Sequence, residues 1–240
     1  MNIYETPTIT ERIKGNPYVG RGIILGMSDN ARFGVAAYFI MGRSANSRNR
    51  VFAVQDGALY TRPYDETKVE DPSLIIYAAV RECEDRLVVT NGDQTDTVCD
   101  GLIQGKSFAE SLVSRQFEPD EPNYTPRISG VMEPGDKLRY EMSILKSADA
   151  AGSACNRFHF AYTALPGTGH FIHTYVTDGD PLPTFTGEPE RVHIPDDIDA
   201  FGDEIWRALD ENNKISLYLR YTDLESGSYS ERVYNKHEGD

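Results

Sequence analysis

Residues 21–41, RGIILGMSDNARFGVAAYFIM, carry two apolar runs, RGIILGM and FGVAAYFIM, parted by a Ser-Asp-Asn break. Each run is too short for a buried helix and is bounded by turn formers, so the pair predicts two strands joined by a tight turn. Outward from this pair the same grammar continues. VFAVQ (51–55), SLIIYAAV (73–80) and RLVVTN (86–91) follow, punctuated by QDG and DP. After Asn91 the spacing becomes helical, with Val98, Leu102 and Ile103 in one stretch and Phe108, Leu112 and Val113 in the next. Ser107 and Glu110 stand three apart as a capping box for the second of these.

A second block of strands reads ISGVMEP, KLRYEMSIL, RFHFAYTAL and GHFIHTYVTDG, with polar and apolar residues alternating as antiparallel sheets require. A further helix is expected from Asp197 to Leu209, where Ile198, Phe201, Ile205 and Leu209 share a face, before ISLYLRYTDL and SERVYN close the chain as strands. Two strand blocks with helices between them imply stacked sheets with helices outside, an α+β layered fold. The 240 residues suit one domain spanning 1–240, near the upper size for a single core. The irregular stretch over 179–197, rich in proline, reads as a surface loop or a lid.

Against 24 Lys and Arg stand 38 Asp and Glu, a net charge of -14, and this disfavours a nucleic-acid partner. No apolar run approaches a membrane span, and the first residues lack a basic start with an apolar core, so a cytoplasmic protein is expected. The three cysteines, Cys83, Cys99 and Cys155, are odd in number and lack CxxC spacing. They read as buried thiols, neither a disulfide framework nor a zinc site. His170 and His173 fall on opposite faces of a strand, which argues against a metal site.

Within this acidic chain, residues 30–55 contain no Asp or Glu but hold Arg32, Arg43, Arg48 and Arg50. Three of these lie in GRSANSRNR, read as a turn where guanidinium and hydroxyl groups can converge on a phosphate, although a solvated hairpin tip would carry the same residues. Arg21 sits between Gly20 and Gly22 just before the first strand, and Asn91, Gly92 and Asp93 mark a strand-to-helix turn whose free NH groups suit an anion or a base edge. EPDEPNYTPRI (118–128) gathers Glu118, Asp120, Glu121, Tyr124 and Arg127, enough for a hydrogen-bonding pocket with a general acid and base. P-loop, GxGxxG, GxSxG and HExxH motifs are all absent.

YVGRG, GRSANSRNR, the IIYAAVR to TNGDQTD hairpin and NYTPRI, in this order and spacing, resemble the archaeal-type IMP cyclohydrolase family over about half the chain. The resemblance implies a four-layer αββα sandwich of two mainly antiparallel sheets, Ntn-hydrolase-like but without a processed N-terminal nucleophile. It implies closure of 5-formamidoimidazole-4-carboxamide ribonucleotide to IMP, with no cofactor and no metal. The partner would be a small purine ribonucleotide, with no nucleic acid or membrane, and a homo-oligomer is compatible with it. Carried over by position, Arg43 and Arg50 with Ser44 and Asn46 would clamp the 5'-phosphate or the carboxamide side, and Arg21 would close the pocket wall. Asn91, Gly92 and Asp93 would hold ribose or base edges. Tyr77 with Glu121 or Glu118 would move protons, oriented by Tyr124 and Arg127, and the choice of glutamate stays open. From Tyr221 onward the chain is expected to leave the matching region as an acidic extension. Two other readings remain: a purine-nucleotide-binding module without turnover, and an Ntn-type amidohydrolase that uses an internal cysteine.

Overall fold

A computed structural model describes residues 4–68, 76–135 and 137–238; the Ser73–Ile75 part of the expected fourth strand lies outside the described residues. The first two runs form β1 (Arg21–Met27) and β2 (Phe33–Met41), preceded by α1 (Ile9–Ile13). Then come α2 (Ala45–Arg48), β3 (Val51–Gln55), β4 (Ala58–Arg62), β5 (Tyr77–Cys83), β6 (Arg86–Thr90), α3 (Gln94–Ile103) and α4 (Phe108–Ser111). The second half holds β7 (Arg127–Glu133), β8 (Arg139–Ser147), β9 (Cys155–Thr163), β10 (Thr168–His173), β11 (Glu190–His193), α5 (Ile198–Ala208), β12 (Lys214–Asp223) and β13 (Tyr229–Asn235).

The strands build two antiparallel sheets, β11-β10-β1-β2-β12-β13 and β3-β4-β5-β6-β7-β8-β9. Alternation along β1 explains how they stack. Ile23 and Leu25 enter a core shared with Tyr38 of neighbouring β2 and with Ala79, Val89 and Ile128 of the facing sheet, while Ile24 points the other way, into a core with Phe201 and Ile205 of α5 and Ile9 of α1. On the far side Val88, Val131 and Leu145 pack beneath Val98 and Leu102 of α3 and Phe108 of α4. Three apolar layers between four layers of structure make an αββα sandwich, as the resemblance implied. α5 begins where Asp197 accepts hydrogen bonds from the NH groups of Asp199 and Ala200, and α4 where Ser107 and Glu110 close the expected capping box.

Several expectations need correction. GRSANSRNR is not a bare turn: Ser44 and Ser47 cap each other and start α2. The α4 helix stops at Ser111, leaving Val113 exposed. Cys83 at the end of β5 and Cys99 on α3 face each other inside the outer apolar layer and are joined as a disulfide, so odd number and missing CxxC spacing gave the wrong reading; Cys155 is the free thiol. The chain beyond Tyr221 is no appendage, because β12 runs on to Asp223 and β13 pairs along it from Ser216↔Asn235 to Thr222↔Tyr229. The proline-rich stretch is tied down as well: Phe185 and Leu182 are buried, Val176 N–H donates to Pro183 O, and β11 occupies residues 190–193. No described helix is long and apolar enough to cross a membrane.

Candidate functional site

One end of the sandwich collects the polar residues. Arg21 opens β1 opposite Ile40 near the end of β2, His173 closes β10 opposite Gly22, and Tyr77, Arg127 and Val51 open β5, β7 and β3. Arg21 has the parity of Ile23 and Leu25, so its side chain enters the space between the sheets. Gly20 precedes it with φ +77°, and a side chain there would collide with Thr174 and Tyr175, which is why this turn requires glycine.

Arg21, Arg50 and Glu118 are all buried, at 9%, 7% and 8% exposure. Among the described residues neither guanidinium makes a hydrogen bond or ion pair, and the Nε atoms of both are buried without a partner. A buried cation without a hydrogen-bonded partner is costly, and an anion between the two guanidiniums would relieve that cost. Burial opposes the charge on Arg21, but the nearby Glu118 carboxyl outweighs it and the guanidinium stays charged. Arg50 is shifted down, by burial first and by Arg21 second. The Glu118 carboxyl is shifted up: burial outweighs the pull of Arg21, Arg127 and Arg50. Such a carboxyl keeps its proton to higher pH than an exposed one and can deliver it.

Between these groups Tyr38 of β2 and Tyr77 of β5 bridge the two sheets, their hydroxyls 3.0 Å apart. Burial and the neighbouring Tyr77 hold the Tyr38 phenol protonated. A second chain leads from the site to the surface, from the Tyr175 hydroxyl to Thr125 Oγ1 at 2.5 Å and on to the Asp120 carboxylate. The same loop is fixed by Glu118 N–H donating to Thr125 O at 2.9 Å, which sets the position of the glutamate.

The remaining expected residues divide. Glu121 is exposed in the turn before Pro122, so of the two glutamates Glu118 is the buried one. Tyr124 packs edge-on against Phe117 and lies against Gly152, on the outside of that loop. Arg127 ion-pairs with Asp93 at 2.7 Å and donates to Gln94 Oε1 at 2.6 Å. Asp93 also pairs with Arg115. Asn91 donates to Pro126 O and accepts from Ile128 N–H, and a side chain at Gly92 would run into Arg127 and Gln94. The Asn91-Gly92-Asp93 turn therefore buttresses the start of β7 with its own polar groups.

The basic island disperses instead of converging. Arg43 lies over the Tyr18 ring and pairs with Asp178, Arg48 donates to Asn213 and Gly42, and Arg32 is bound to Asp223 at the opposite end. Only Arg50 reaches the buried cluster. Ser44 is spent on capping α2, whereas Asn46 on the same helix has a buried Oδ1 with no partner. Tyr38, Tyr175 and Thr125 were not foreseen, because a tyrosine inside FGVAAYFIM or HFIHTY reads as core until its hydroxyl is located. Cys83 and Cys99 lie behind the second sheet and Cys155 on its last strand, which removes the support for a cysteine nucleophile here.

A protein of Methanopyrus kandleri named IMP cyclohydrolase is 36% identical over 116 residues, 47% of this chain and 57% of the relative. Proteins of the same name from Methanothrix thermoacetophila and Thermococcus kodakarensis are 34% and 32% identical, over 48% and 50% of this chain and 57% and 58% of their own lengths. The matched region thus spans little more than half the length of these relatives. The family profile described as IMP cyclohydrolase-like protein matches residues 18–227, past Tyr221 and over every residue named for the site, and the chain belongs to that family.

Proposed function

We propose that this protein is an IMP cyclohydrolase acting on 5-formamidoimidazole-4-carboxamide ribonucleotide. The observation that carries the reading is the pair of buried, unpartnered guanidiniums of Arg21 and Arg50, set against buried Glu118 and the Tyr38–Tyr77 hydroxyl pair. The names of the relatives point the same way. The reading brings with it a small purine nucleotide as ligand and a cytosolic setting.

Ring closure joins the carboxamide nitrogen to the formyl carbon. The formyl oxygen then leaves as water, having taken one proton from the carboxamide nitrogen and one from the formamido nitrogen. Both reacting groups belong to one molecule, so holding the closed conformer supplies much of the acceleration. In this site Arg21 faces the negative charge that develops on the formyl oxygen, where a fixed charge in a dry setting acts strongly, and Arg50 holds the carboxamide oxygen, which remains in IMP. Glu118, whose buried carboxyl keeps its proton to higher pH than an exposed one, is the group placed to give a proton to the formyl oxygen. The Tyr77 hydroxyl, held by Tyr38, takes part in passing the carboxamide proton onward. The nucleotide phosphate extends outward towards α2, where Asn46 and Ser44 stand, with Arg43 at the rim.

Incubating the purified protein with the formylated ribonucleotide in the presence of EDTA and following IMP formation tests the reading. Turnover that Arg50→Ala and Tyr77→Phe each lower by about a hundredfold or more is expected. IMP binding without any turnover above the uncatalysed rate would instead identify a nucleotide-binding module.

A further inference from the structure

The sandwich has four sheet edges, and three of them are closed. At β3 the Asn235 amide pairs with both backbone groups of Phe52, its Oδ1 accepting at 2.9 Å and its Nδ2 donating at 2.9 Å. At β11, four residues long, His193 N–H donates to Pro7 O and Arg191 O accepts from Arg12, so the segment around α1 lies along it. β13 carries Glu231 and Arg232 on its strand, the kind of charge that keeps an edge from pairing.

Among the described residues no segment covers the edge of β9, and its one charged side chain, Arg157, is basic and donates to Val113 O and Arg115 O. All nine residues, CNRFHFAYT, pair with β8 from Arg139↔Thr163 to Ser147↔Cys155 without a register shift, and no described strand lies on its other side. The strand contains no proline, no bulge and no acidic residue. Residues 150–177 hold no Asp or Glu at all, in a chain of net charge -14. One face of the strand is aromatic: Phe160 and Tyr162 pack against the central core, and Phe158 continues that row into solvent at 43% exposure.

We propose that β9 pairs antiparallel with β9 of a second copy of this chain, continuing the seven-stranded sheet across a two-fold axis. The choice of partner follows from charge and symmetry. Two copies repel each other over most of their acidic surface, and this strand is where they approach without carboxylates facing carboxylates. A strand that pairs with itself around a dyad satisfies both edges at once and leaves none for a third copy, so assembly stops at the dimer. With the axis at His159, Phe158 of one copy meets Phe160 of the other, and Arg157 meets Ala161, so no like charges face each other. Nine residues give a contact about 30 Å long, a full strand length.

Sedimentation of the full chain tests this, with hydrogen exchange on the same samples. The expected result is a species of twice the 26.9 kDa chain mass at about 100 µM, with β9 amides exchanging more slowly as concentration rises. Phe158→Glu should weaken the dimer at least about tenfold while near-ultraviolet dichroism stays native, and Val233→Glu on β13 should leave it intact. A wild-type chain that stays monomeric at that concentration overturns the proposal. So does a dimer whose β9 amides exchange at the monomer's rate, whatever the variants do.

Discussion

The two ends of the space between the sheets treat a buried arginine in opposite ways. At the hairpin end, Arg220 is 4% exposed, yet it pairs with Glu82, donates to Thr222 Oγ1 at 3.2 Å and lies over the Tyr229 ring at 3.5 Å. Nearby, Arg32 holds Asp223 at 2.7 Å; the Ser226 N–H, Arg32 and neighbouring backbone groups pull that carboxyl down to about 2. At the other end Arg21 and Arg50 are also buried, with no hydrogen bond or ion pair among the described residues. The fold can satisfy an interior guanidinium where it uses one for structure. Where it does not, the proposed function assigns the missing partner to the ligand, and this contrast would then separate a binding site from a structural ion pair.

The sharpest way to break the comparison is by activity. Arg50→Ala should lower kcat/KM by about 10²–10³, and Tyr77→Phe by about 10². Arg220→Met at the partnered end should leave kcat/KM within about threefold in the same assay. Equal losses at both ends would erase the distinction.

Stability should separate the ends by sign. Arg220→Met removes a partnered cation that anchors three groups and should cost about 2 kcal/mol in a denaturant titration. Arg50→Met removes a buried charge that Arg21 repels, and should raise stability by about 1 kcal/mol while abolishing turnover, as expected where function is kept at the expense of packing. IMP at about a hundred times its Kd should stabilise the wild type by about 2.7 kcal/mol, and Arg50→Met much less at the same concentration.

The smallest expected effect is in the pH profile. A protonated Glu118 acting as acid is lost as pH rises through its raised pKa, so kcat/KM should fall on the alkaline side of that value, above the ordinary carboxyl range. The same shift makes a stability contribution of the same sign. Because the folded state holds this proton more tightly than the unfolded chain, the contribution is present at low pH and fades as pH rises through the folded value. Glu118→Gln should remove the alkaline limb, and a limb that persists would assign it to another group.

Much of the architecture was legible from periodicity alone. The runs RGIILGM, FGVAAYFIM and RLVVTN became β1, β2 and β6, and the face of Ile198, Phe201 and Ile205 became α5. What escaped was short or decided by tertiary contact. α1 and α2 are four or five residues held by capping boxes, and β11 forms because β10 offers it an edge. In the site, the dense arginines of GRSANSRNR drew attention by composition, although Arg43 just before α2 and Arg48 at its end find partners elsewhere and only Arg50 is directed inward. Arg21, flanked by two glycines, looked like a turn residue, yet strand parity places it between the sheets. Glu118 and Glu121 could not be told apart in a proline-rich loop, where burial is set by the Glu118–Thr125 backbone bond and not by local pattern. Cys83 and Cys99 meet across a strand and a helix, a proximity that sequence spacing does not encode.

The central claim is best tested by calorimetric titration of IMP into the wild type, Arg50→Met and Arg220→Met. Affinity should drop at least about a hundredfold in Arg50→Met, close to 2.7 kcal/mol, and stay unchanged in Arg220→Met. IMP bound as tightly by Arg50→Met as by the wild type would contradict the assignment of these buried guanidiniums to the nucleotide.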